Sequence, residues 1–538
     1  MTIQLFEPSS LPLWQALLLV APALIAAAAA AFASPGRDTA AVWRSARSAT
    51  GLTLLIAVVS VALVVVGGSR TGFGLRADLT GTSVLLLVAL VGWVIVRYSQ
   101  PYLHGEHEER HYARWLMAAL AAVAVVVVTN HVLILVLAWM GTSMAMHRLL
   151  NFFGHRPAAV VAAHKKFIAG RAADLCMLAA AALLASAFGT LDIDQIVERA
   201  SAGGHLPLAA QAATLLVVTA ALLKCAQLPF HGWLIQVMEA PTPVSALLHA
   251  GVVNLGGFVL IRFAPLIEEM PAAQLMLVAV GASTAVLAAV VMTTRISIKV
   301  MLAWSTCAQM GFMLMQCGLG AWDMALLHLL AHSLYKAHAF LGAGGAVRRA
   351  MLQQLTPNTP APSALALFFG ALAGVGMTLA ASTVWHALLP QQTPAPAIGV
   401  LAGIVALALV PLVNGQATHL KGWWLPALLL GAFAVSFAYF GLHLFFAQWV
   451  VPAAGEPASG LLIAVALAFG LLFLLQCLIT VAPQGRLVRS LYPWFYGGLF
   501  LDEKLTRIAF ALWPPPAPRP AVMQLPVMDS TPAQKARS

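Results

Sequence analysis

The sequence predicts an all-α polytopic membrane protein with about 14–15 transmembrane helices, and three observations support this fold class. Of the 538 residues, 61% are hydrophobic and only 9% are charged. Apolar runs long enough to cross a bilayer recur along most of the chain. Prolines and ionisable side chains interrupt a few of these runs, a pattern typical of ion or proton paths.

About fifteen apolar runs are candidate spans, and one or two of them could be half-spans. Their approximate bounds are 12–33, 51–67, 82–97, 114–129, 131–149, 160–187, 206–227, 243–263, 272–293, 298–318, 321–344, 363–389, 397–413, 423–447 and 458–481. The segment 514–538 is rich in proline and polar residues, so it is predicted to be disordered.

The basic residues indicate membrane topology rather than a nucleic-acid partner. The formal net charge is +11, and arginine and lysine concentrate in the connections after the first, third and fifth runs, around Arg37, Arg97 and Arg148. Connections rich in these residues face the cytoplasm. The N-terminus is therefore predicted to lie outside, and the first run to be a retained span rather than a cleaved signal.

The stretch 223–254 places an amine and an imidazole in otherwise apolar membrane sequence. Lys224 ends one apolar run, and Pro229 removes a backbone donor five residues later, which predicts a broken helix. A second break at Pro241 and Pro243 precedes the apolar helix that carries His249. Irregular backbone at membrane depth survives where it is buried in protein or lines a wet cavity, so Lys224 and His249 are candidate proton-transfer residues.

Three more ionisable residues share one face of a later helix. His328, His332 and Lys336 are spaced at i, i+4 and i+8. Such a stripe favours a hydrated proton relay over a purely structural network. The two histidines also have the spacing of a zinc pair, but no glutamate adjoins them, so zinc is not the favoured interpretation and no metal or cofactor is expected in this chain.

Four residues are candidate supporting groups. Arg171 and Asp174 are three residues apart and could form a structural ion pair or carry protons directly. Lys299 lies at a helix start, where it could extend to the membrane surface or belong to the path. Glu239, just before the second break, is the fourth.

These residues lie in motifs that resemble the antiporter-like proton-channel subunits of respiratory complex I (the subunit L type) and of multisubunit cation/proton antiporters. The matching motifs are LKCAQLPFHGWL, APTPVSALLHA, IKVMLAWSTCAQMGFM, HLLAHSLYKAHAFL, YSQPYLHGEHEERHYARW and FIAGRAADLCMLAAAALL. The resemblance implies two inverted five-helix repeats with broken helices. It also implies that Lys224, His249, His328, His332 and Lys336 occupy the proton-relay positions.

The resemblance also implies a division of the chain. Residues 1–98 would hold the N-terminal helices, 99–263 the first repeat, 264–420 the second, 421–513 the C-terminal helices and 514–538 the tail.

Two departures from the complex I pattern narrow the choice of family. Met140 stands where that family has the glutamate that pairs with the broken-helix lysine, so Lys224 needs another acidic partner. The run 363–389, which would carry the second lysine, contains no charged residue. The far half of the complex I route is therefore not expected here.

The sequence resembles more closely the membrane subunit of DAB-type inorganic carbon accumulation systems, through WMGTSMAMHRLL, AAHKKFIAGRAADL and MQCGLGAWDMALLHLLAHSLYKAHAFLGAG. The resemblance implies a proton-conducting, non-enzymatic subunit in the inner membrane of a bacterium. Its implied partner is a large soluble carbonic-anhydrase-like subunit that holds zinc. The basic connection at 148–166 is a candidate docking surface for that partner.

Two other functions remain open. The chain could be a true complex I or antiporter subunit that moves protons or sodium, although the missing glutamate and second lysine disfavour it. It could also be a non-conducting anchor for a soluble enzyme, but an inert anchor has no physical reason to keep costly charges in the bilayer.

Overall fold

The computed structural model describes residues 9–154, 156–202, 205–345, 351, 362–390, 395–410, 425–450 and 455–514. Within these ranges, twelve helices are long and apolar enough to cross a membrane. Two shorter apolar helices, Leu208–Lys224 and Pro396–Ala408, and the helix that carries the predicted stripe complete the bundle. Each predicted run contains a helix, so the fold class of an all-α polytopic membrane protein is confirmed. The predicted tail 514–538 lies outside the described residues except for its first position.

The first half of the chain begins with a short strand and two long helices, β1 (Ser9–Ser10), α1 (Leu13–Phe32) and α2 (Thr39–Gly67). A hairpin of β2 (Arg70–Gly72) and β3 (Leu75–Ala77) follows. The next helices are α3 (Leu79–Tyr102), α4 (Glu109–Val128), α5 (Val132–Leu150), α6 (Pro157–Phe188), α7 (Ile193–Ser201) and α8 (Leu208–Lys224).

Short elements fill the region after α8. They are α9 (Gly232–Gln236), α10 (Thr242–Leu247), a π-helical turn (Leu248–Val252), α11 (Leu255–Arg262) and α12 (Ala264–Glu268).

Long helices resume after α12. They are α13 (Pro271–Met292), α14 (Ile298–Gly318), α15 (Trp322–Leu341), α16 (Ala364–Leu388), α17 (Pro396–Ala408), α18 (Leu425–Phe446) and α19 (Ser459–Val481), followed by the shorter α20 (Arg486–Tyr496) and α21 (Leu501–Leu512).

The second, fourth and sixth connections meet at one end of the bundle, which we call the even face. Strand β2 pairs with both β1 and β3, and Leu75 and Thr129 form an isolated bridge between the second and fourth connections. His131 and Asp192 form another bridge, between the fourth and sixth connections. The described part of the chain therefore enters the bundle at the even face.

The odd-numbered connections meet at the opposite end, the odd face. Arg110 Nη1 donates to the carbonyl oxygen of Arg37 over 2.8 Å, which joins the first and third connections. The C-terminal helices α20 and α21 lie at the same end, where Arg295 Nη2 donates to the carbonyl oxygen of Phe495 over 3.2 Å. The two faces thus differ in their connections, and the basic connections belong to the odd face.

Helices pack closely where small residues allow it. A Cβ atom added to Gly281 of α13 would lie 2.7 Å from the carbonyl oxygen of Gly311 in α14, and one added to Gly311 would lie 2.6 Å from the carbonyl oxygen of Gly281. This reciprocal contact brings the two backbones together, as is common between membrane helices. It fixes α14, which contacts both α9 and α15 beside the site.

The predicted break after Lys224 is present, whereas the corresponding helix of the second half is continuous. Residues 225–231 form irregular turns, with a cis peptide bond between Leu228 and Pro229. The second break differs from a simple helix start, because His249 lies in the π-helical turn rather than in regular α-helix. Helix α16 runs unbroken from Ala364 to Leu388. The irregular backbone is therefore concentrated around Lys224 and His249.

Candidate proton-transfer site

Lys224 is paired with Asp174 inside the bundle. Lys224 Nζ lies 2.7 Å from Asp174 Oδ1, and both side chains are almost fully buried, with 7% and 3% of their surface exposed. The lysine is the last residue of α8, so the break that follows aims its side chain across the bundle toward α6. The acidic partner that Met140 cannot supply thus comes from the neighbouring helix.

Asp174 also contacts Arg171, so the predicted Arg171–Asp174 pair is one part of a triad. Arg171 Nη2 lies 2.5 Å from Asp174 Oδ2, and Lys224 occupies the other carboxylate oxygen. Lys224 also lies over the ring of Trp139, with Nζ 4.2 Å from the ring centroid, and donates to the Trp139 carbonyl oxygen over 3.3 Å. A buried carboxylate that serves two cations is well compensated.

Two lysines predicted to lie in the docking connection are instead buried in α6, which is a correction to that expectation. Lys165 Nζ contacts both carboxylate oxygens of Asp502 in α21, at 2.5 and 2.7 Å. Lys166 is 5% exposed, and its Nζ donates to the carbonyl oxygen of Ser143 over 2.7 Å. Helix α6 begins at Pro157, three residues before the predicted apolar run, because proline is favoured in the first helical turn. Neither amine is available to a docking partner.

The π-helical turn has two neighbouring residues with different contacts. Leu248 lines a small cavity together with Lys224, whereas the ring of His249 stacks on Phe340 of α15 with 4.4 Å between centroids. Asn254 Nδ2 donates to Ser333 Oγ over 2.5 Å and ties the same segment to α15. The turn therefore connects the ion pair with the helix that carries the histidine stripe.

In the stripe of α15, His332 and Lys336 are buried and His328 is partly buried, and several ring nitrogens lack hydrogen-bond partners in the protein. The His328 and His332 ring centroids are 5.8 Å apart, and neither nitrogen of His332 or His249 has a protein partner among the described residues. Lys336 is fully buried and donates to the Leu302 carbonyl oxygen over 3.1 Å. Buried polar atoms without protein partners are normally satisfied by water, so this region is suited to a hydrated chain.

A further acid and histidine meet where α15 begins, at the even face. The ring nitrogen Nδ1 of His443, from α18, contacts the carboxylate of Asp323. Both line an open groove that also includes Glu456. Along α15 the order from this groove inward is Asp323, His328, His332 and Lys336. The stripe thus leads from the even face to the level of His249.

The remaining two supporting candidates lie apart from this line. Glu239 has a side chain that is 44% exposed, and it contacts Arg156 at 3.5 Å on the odd face. Lys299 is half-buried in the first turn of α14, and the described residues place no carboxylate within ion-pair distance of it. Its position fits a lysine that extends to the membrane surface.

Two residues near the site were not among the predicted proton-transfer or supporting residues. Lys166 follows Lys165 and several arginines, which favours a place in the connection, although it also lies inside the predicted apolar run 160–187. His443 lies alone in an apolar run. A single histidine in such a run is itself a signal of an intramembrane partner, but the sequence does not say which acid it meets.

Comparison with known proteins agrees with the antiporter-like architecture. A family model described as NADH:quinone oxidoreductase/Mrp antiporter, TM, matches residues 129–384, the range that holds Lys224, His249 and Lys336. A chain in the structure of the Mrp complex from Dietzia sp. has a TM-score of 0.55 and 24% identity, and the match covers 93% of this chain and 56% of that one. The protein is therefore a multi-pass membrane protein with the antiporter-like fold.

Two curated relatives define the family within this class. The probable inorganic carbon transporter subunit DabB of Hydrogenovibrio crunogenus is 41% identical over 452 residues, which cover 82% of this chain and 85% of the relative. The probable inorganic carbon transporter subunit DabB2 of Halothiobacillus neapolitanus is 36% identical over 524 residues, covering 93% and 94%. The chain belongs to the DabB family.

Proposed function

We propose that this protein is the proton-conducting membrane subunit of an inorganic carbon accumulation complex. It would use proton-motive force to drive the hydration of carbon dioxide, or the uptake of bicarbonate, so that bicarbonate accumulates inside the cell. The observation that carries the proposal is the buried Asp174–Lys224 pair beside a broken helix, linked through the π-helical turn to the stripe of α15. Membership of the DabB family supplies the substrate class.

Protons would enter at the even face and move along α15. Asp323 and His443 line the open groove at that face, and His328 and His332 follow inward at one-turn spacing. Lys336 and His249 then receive the proton. The charge finally reaches Lys224, where Asp174 stabilises the ammonium form.

Proton movement would shift the equilibrium of carbon dioxide hydration substantially. One charge that crosses 100 mV supplies roughly 2.3 kcal/mol. Because about 1.4 kcal/mol corresponds to a tenfold change in an equilibrium constant, one proton shifts the hydration equilibrium by between about ten- and a hundredfold. Coupling to a few protons would support a steep bicarbonate gradient.

The hydration chemistry belongs in this proposal to a large soluble partner that resembles carbonic anhydrases and holds zinc. Such a metal lowers the pKa of its bound water to about 7, which supplies hydroxide near neutral pH. This chain would deliver or withdraw protons and would itself hold no cofactor. We place it in the cytoplasmic membrane of a bacterium, with the N-terminus and the even face outside and the basic odd face toward the cytoplasm.

Co-purification tests the proposed assembly. The tagged chain is expressed in its own host and extracted in mild detergent, and its partners are identified by mass spectrometry together with a zinc assay. The proposal predicts one large soluble partner with about one zinc ion per copy. A set of small membrane subunits with iron–sulfur or flavin components would contradict it and would indicate a respiratory complex. Recovery of the chain without zinc or a large partner would also contradict it.

A further inference from the structure

Lys166 is a buried amine that the proposed route does not yet use. It lies in α6, two turns before Asp174, and is 5% exposed. Its Nζ donates to the Ser143 carbonyl oxygen over 2.7 Å. Among the residues that the structure describes, no carboxylate lies within ion-pair distance of it. An ammonium group has three donors, so two of them are left for other partners when Lys166 is protonated.

Lys166 and Lys224 line the same small cavity. Trp139, Ser143, Gly170 and Leu248 form other parts of its wall. The space open to the centre of a water-sized sphere is about 20 Å³. One water molecule needs at least about 10–15 Å³ by this measure, so the cavity that both lysines line has room for about one water.

The charges around this cavity do not balance when every group is ionised. Arg171, Lys224 and Lys166 would carry three positive charges, whereas Asp174 carries one negative charge. Asp174 contacts Arg171 and Lys224 directly, which leaves Lys166 without a counter-charge. Because an uncompensated buried charge is unfavourable, the arrangement favours one proton shared between the two lysines over an ammonium group on each.

We propose that Lys166 is a further proton-transfer residue that exchanges a proton with Lys224 through one water molecule. The ammonium of Lys224 gives a proton to the water, and the same water gives one of its own protons to the neutral amine of Lys166. Lys224 then becomes neutral and Lys166 becomes the ammonium, so the charge moves while atoms and electrons balance. This inference rests on the proposed proton conduction.

The position of Lys166 gives the exchange a direction. Helix α6 starts at the odd face with Pro157 and passes Lys166 before it reaches Asp174. Lys166 therefore lies on the odd-face side of the ion pair. The exchange would carry protons from Lys224 toward the face that we assign to the cytoplasm.

Two substitutions distinguish proton transfer from a purely electrostatic role. Lys166→Met keeps an unbranched apolar chain of similar volume and removes the titratable group. Lys166→Arg keeps the positive charge, but a guanidinium does not release its proton near neutral pH. If Lys166 only supplies charge or holds Ser143, the arginine variant should function. If Lys166 passes protons, both variants should fail.

The test measures uptake of radiolabelled inorganic carbon in cells that contain this chain with its natural partners, with and without a protonophore. We expect K166M and K166R each to reduce protonophore-sensitive accumulation by about a hundredfold or more. Both should assemble like the wild type by size-exclusion chromatography. The matched control is K165R, which keeps the contact with Asp502 and should stay within about twofold of the wild type.

The outcomes separate this inference from the proposed function. Accumulation by K166R at the wild-type level would overturn the proton-transfer role, and accumulation by both variants would overturn any role of Lys166 in the route. If wild-type accumulation were insensitive to the protonophore, the proposed proton coupling itself would fail. If Lys166→Met does not assemble, Lys166→Gln, which is smaller and also neutral, takes its place as the variant without a titratable group, and Lys166→Arg remains the variant that keeps the charge.

Discussion

At the scale of single residues, the site depends on one carboxylate. Asp174 lies between Arg171 and Lys224, at 2.5 and 2.7 Å, and thereby replaces the acidic partner that Met140 cannot provide. Because the acid lies on α6 rather than on α5, the lysine still has a counter-charge, and the α5 side of the cavity is left to Trp139 and Ser143. The ion pair therefore forms between α6 and α8.

Asp174→Asn should disable the site and destabilise the protein. The substitution removes the negative charge and leaves Arg171 and Lys224 buried without a counter-charge, which typically costs about 3–5 kcal/mol. We expect a lower midpoint of thermal unfolding in detergent and loss of carbon accumulation. The exposed Glu503→Gln serves as the control that changes charge elsewhere. A midpoint for Asp174→Asn equal to that of this control would show that the pair contributes little.

A second buried acid, Asp78, makes stability depend on pH at the even face. Burial raises the pKa of this carboxyl, but contacts with Arg262 and Arg76 outweigh burial and lower the pKa from 3.8 to about 2. The folded protein thus holds Asp78 ionised more strongly than the unfolded chain does. The resulting stabilisation is complete above about pH 4 and is lost as the pH falls through about 2.

The pH effect is measured as the difference in unfolding temperature between the wild type and Asp78→Asn. At about pH 6 the variant should be clearly less stable, because Arg262 loses both of its carboxylate contacts. The difference should shrink as the pH approaches about 3. A difference that stays constant down to that pH would contradict the role assigned to the carboxylate.

At the scale of helices and turns, the C-terminal segment closes the odd face beside the site. Asp502 of α21 accepts from Lys165 and, over 2.9 Å, from Gln236 Nε2 in α9. The ring of Trp513 stacks on His164 with 3.8 Å between centroids. These contacts attach α21 to α6 and to the element that follows the broken helix. Movement of the broken helix would therefore also shift the C-terminal segment.

Asp502→Asn should loosen this attachment without disturbing the Asp174–Lys224 pair. The variant loses its charge-assisted contacts with Lys165, worth about 1–3 kcal/mol. Limited proteolysis in detergent should cut the region of α20 and α21 faster, while the rest of the chain remains protected. Glu503→Gln, a neighbouring change on the exposed side, should leave the rate unchanged. Equal rates for both variants would exclude Asp502 as the attachment point.

At the scale of the whole molecule, the bundle has two distinct faces joined by one polar line. The even face carries the hairpin and the Asp323–His443 groove, and the odd face carries the basic connections and the C-terminal helices. The ionisable residues between them lie on α15, the π-helical turn, α8 and α6. In the proposed function, the subunit receives protons at one face and delivers them at the other along these residues.

Site-directed labelling tests the orientation of the two faces. Single cysteines replace the exposed Glu198 in the sixth connection and the exposed Glu106 in the third, in a background without the five native cysteines. A membrane-impermeant maleimide should label position 198 in intact cells, and position 106 after lysis. The reverse pattern would place the N-terminus in the cytoplasm and invert the direction of the proposed route.

The sequence is sufficient to predict the helices but only part of the site. Hydropathy places the long helices well, because each must satisfy its own backbone in lipid, and one-turn spacing places His328, His332 and Lys336 on one face. The partner of Lys224 depends on how α6 and α8 pack, which local spacing does not encode. The role of Lys166 also depends on packing, because the local sequence around a lysine in the first turns of a helix is the same whether its side chain points outward or inward.

The most direct test of the account is carbon accumulation by Lys224→Met and Lys336→Met, compared with the wild type under the same membrane potential. Both substitutions keep side-chain volume while removing an amine from the proposed route, and both proteins should still assemble with their partners. If protons pass through Lys224 and Lys336, neither variant should retain protonophore-sensitive accumulation of labelled inorganic carbon. Wild-type accumulation by both variants would contradict proton conduction through this subunit.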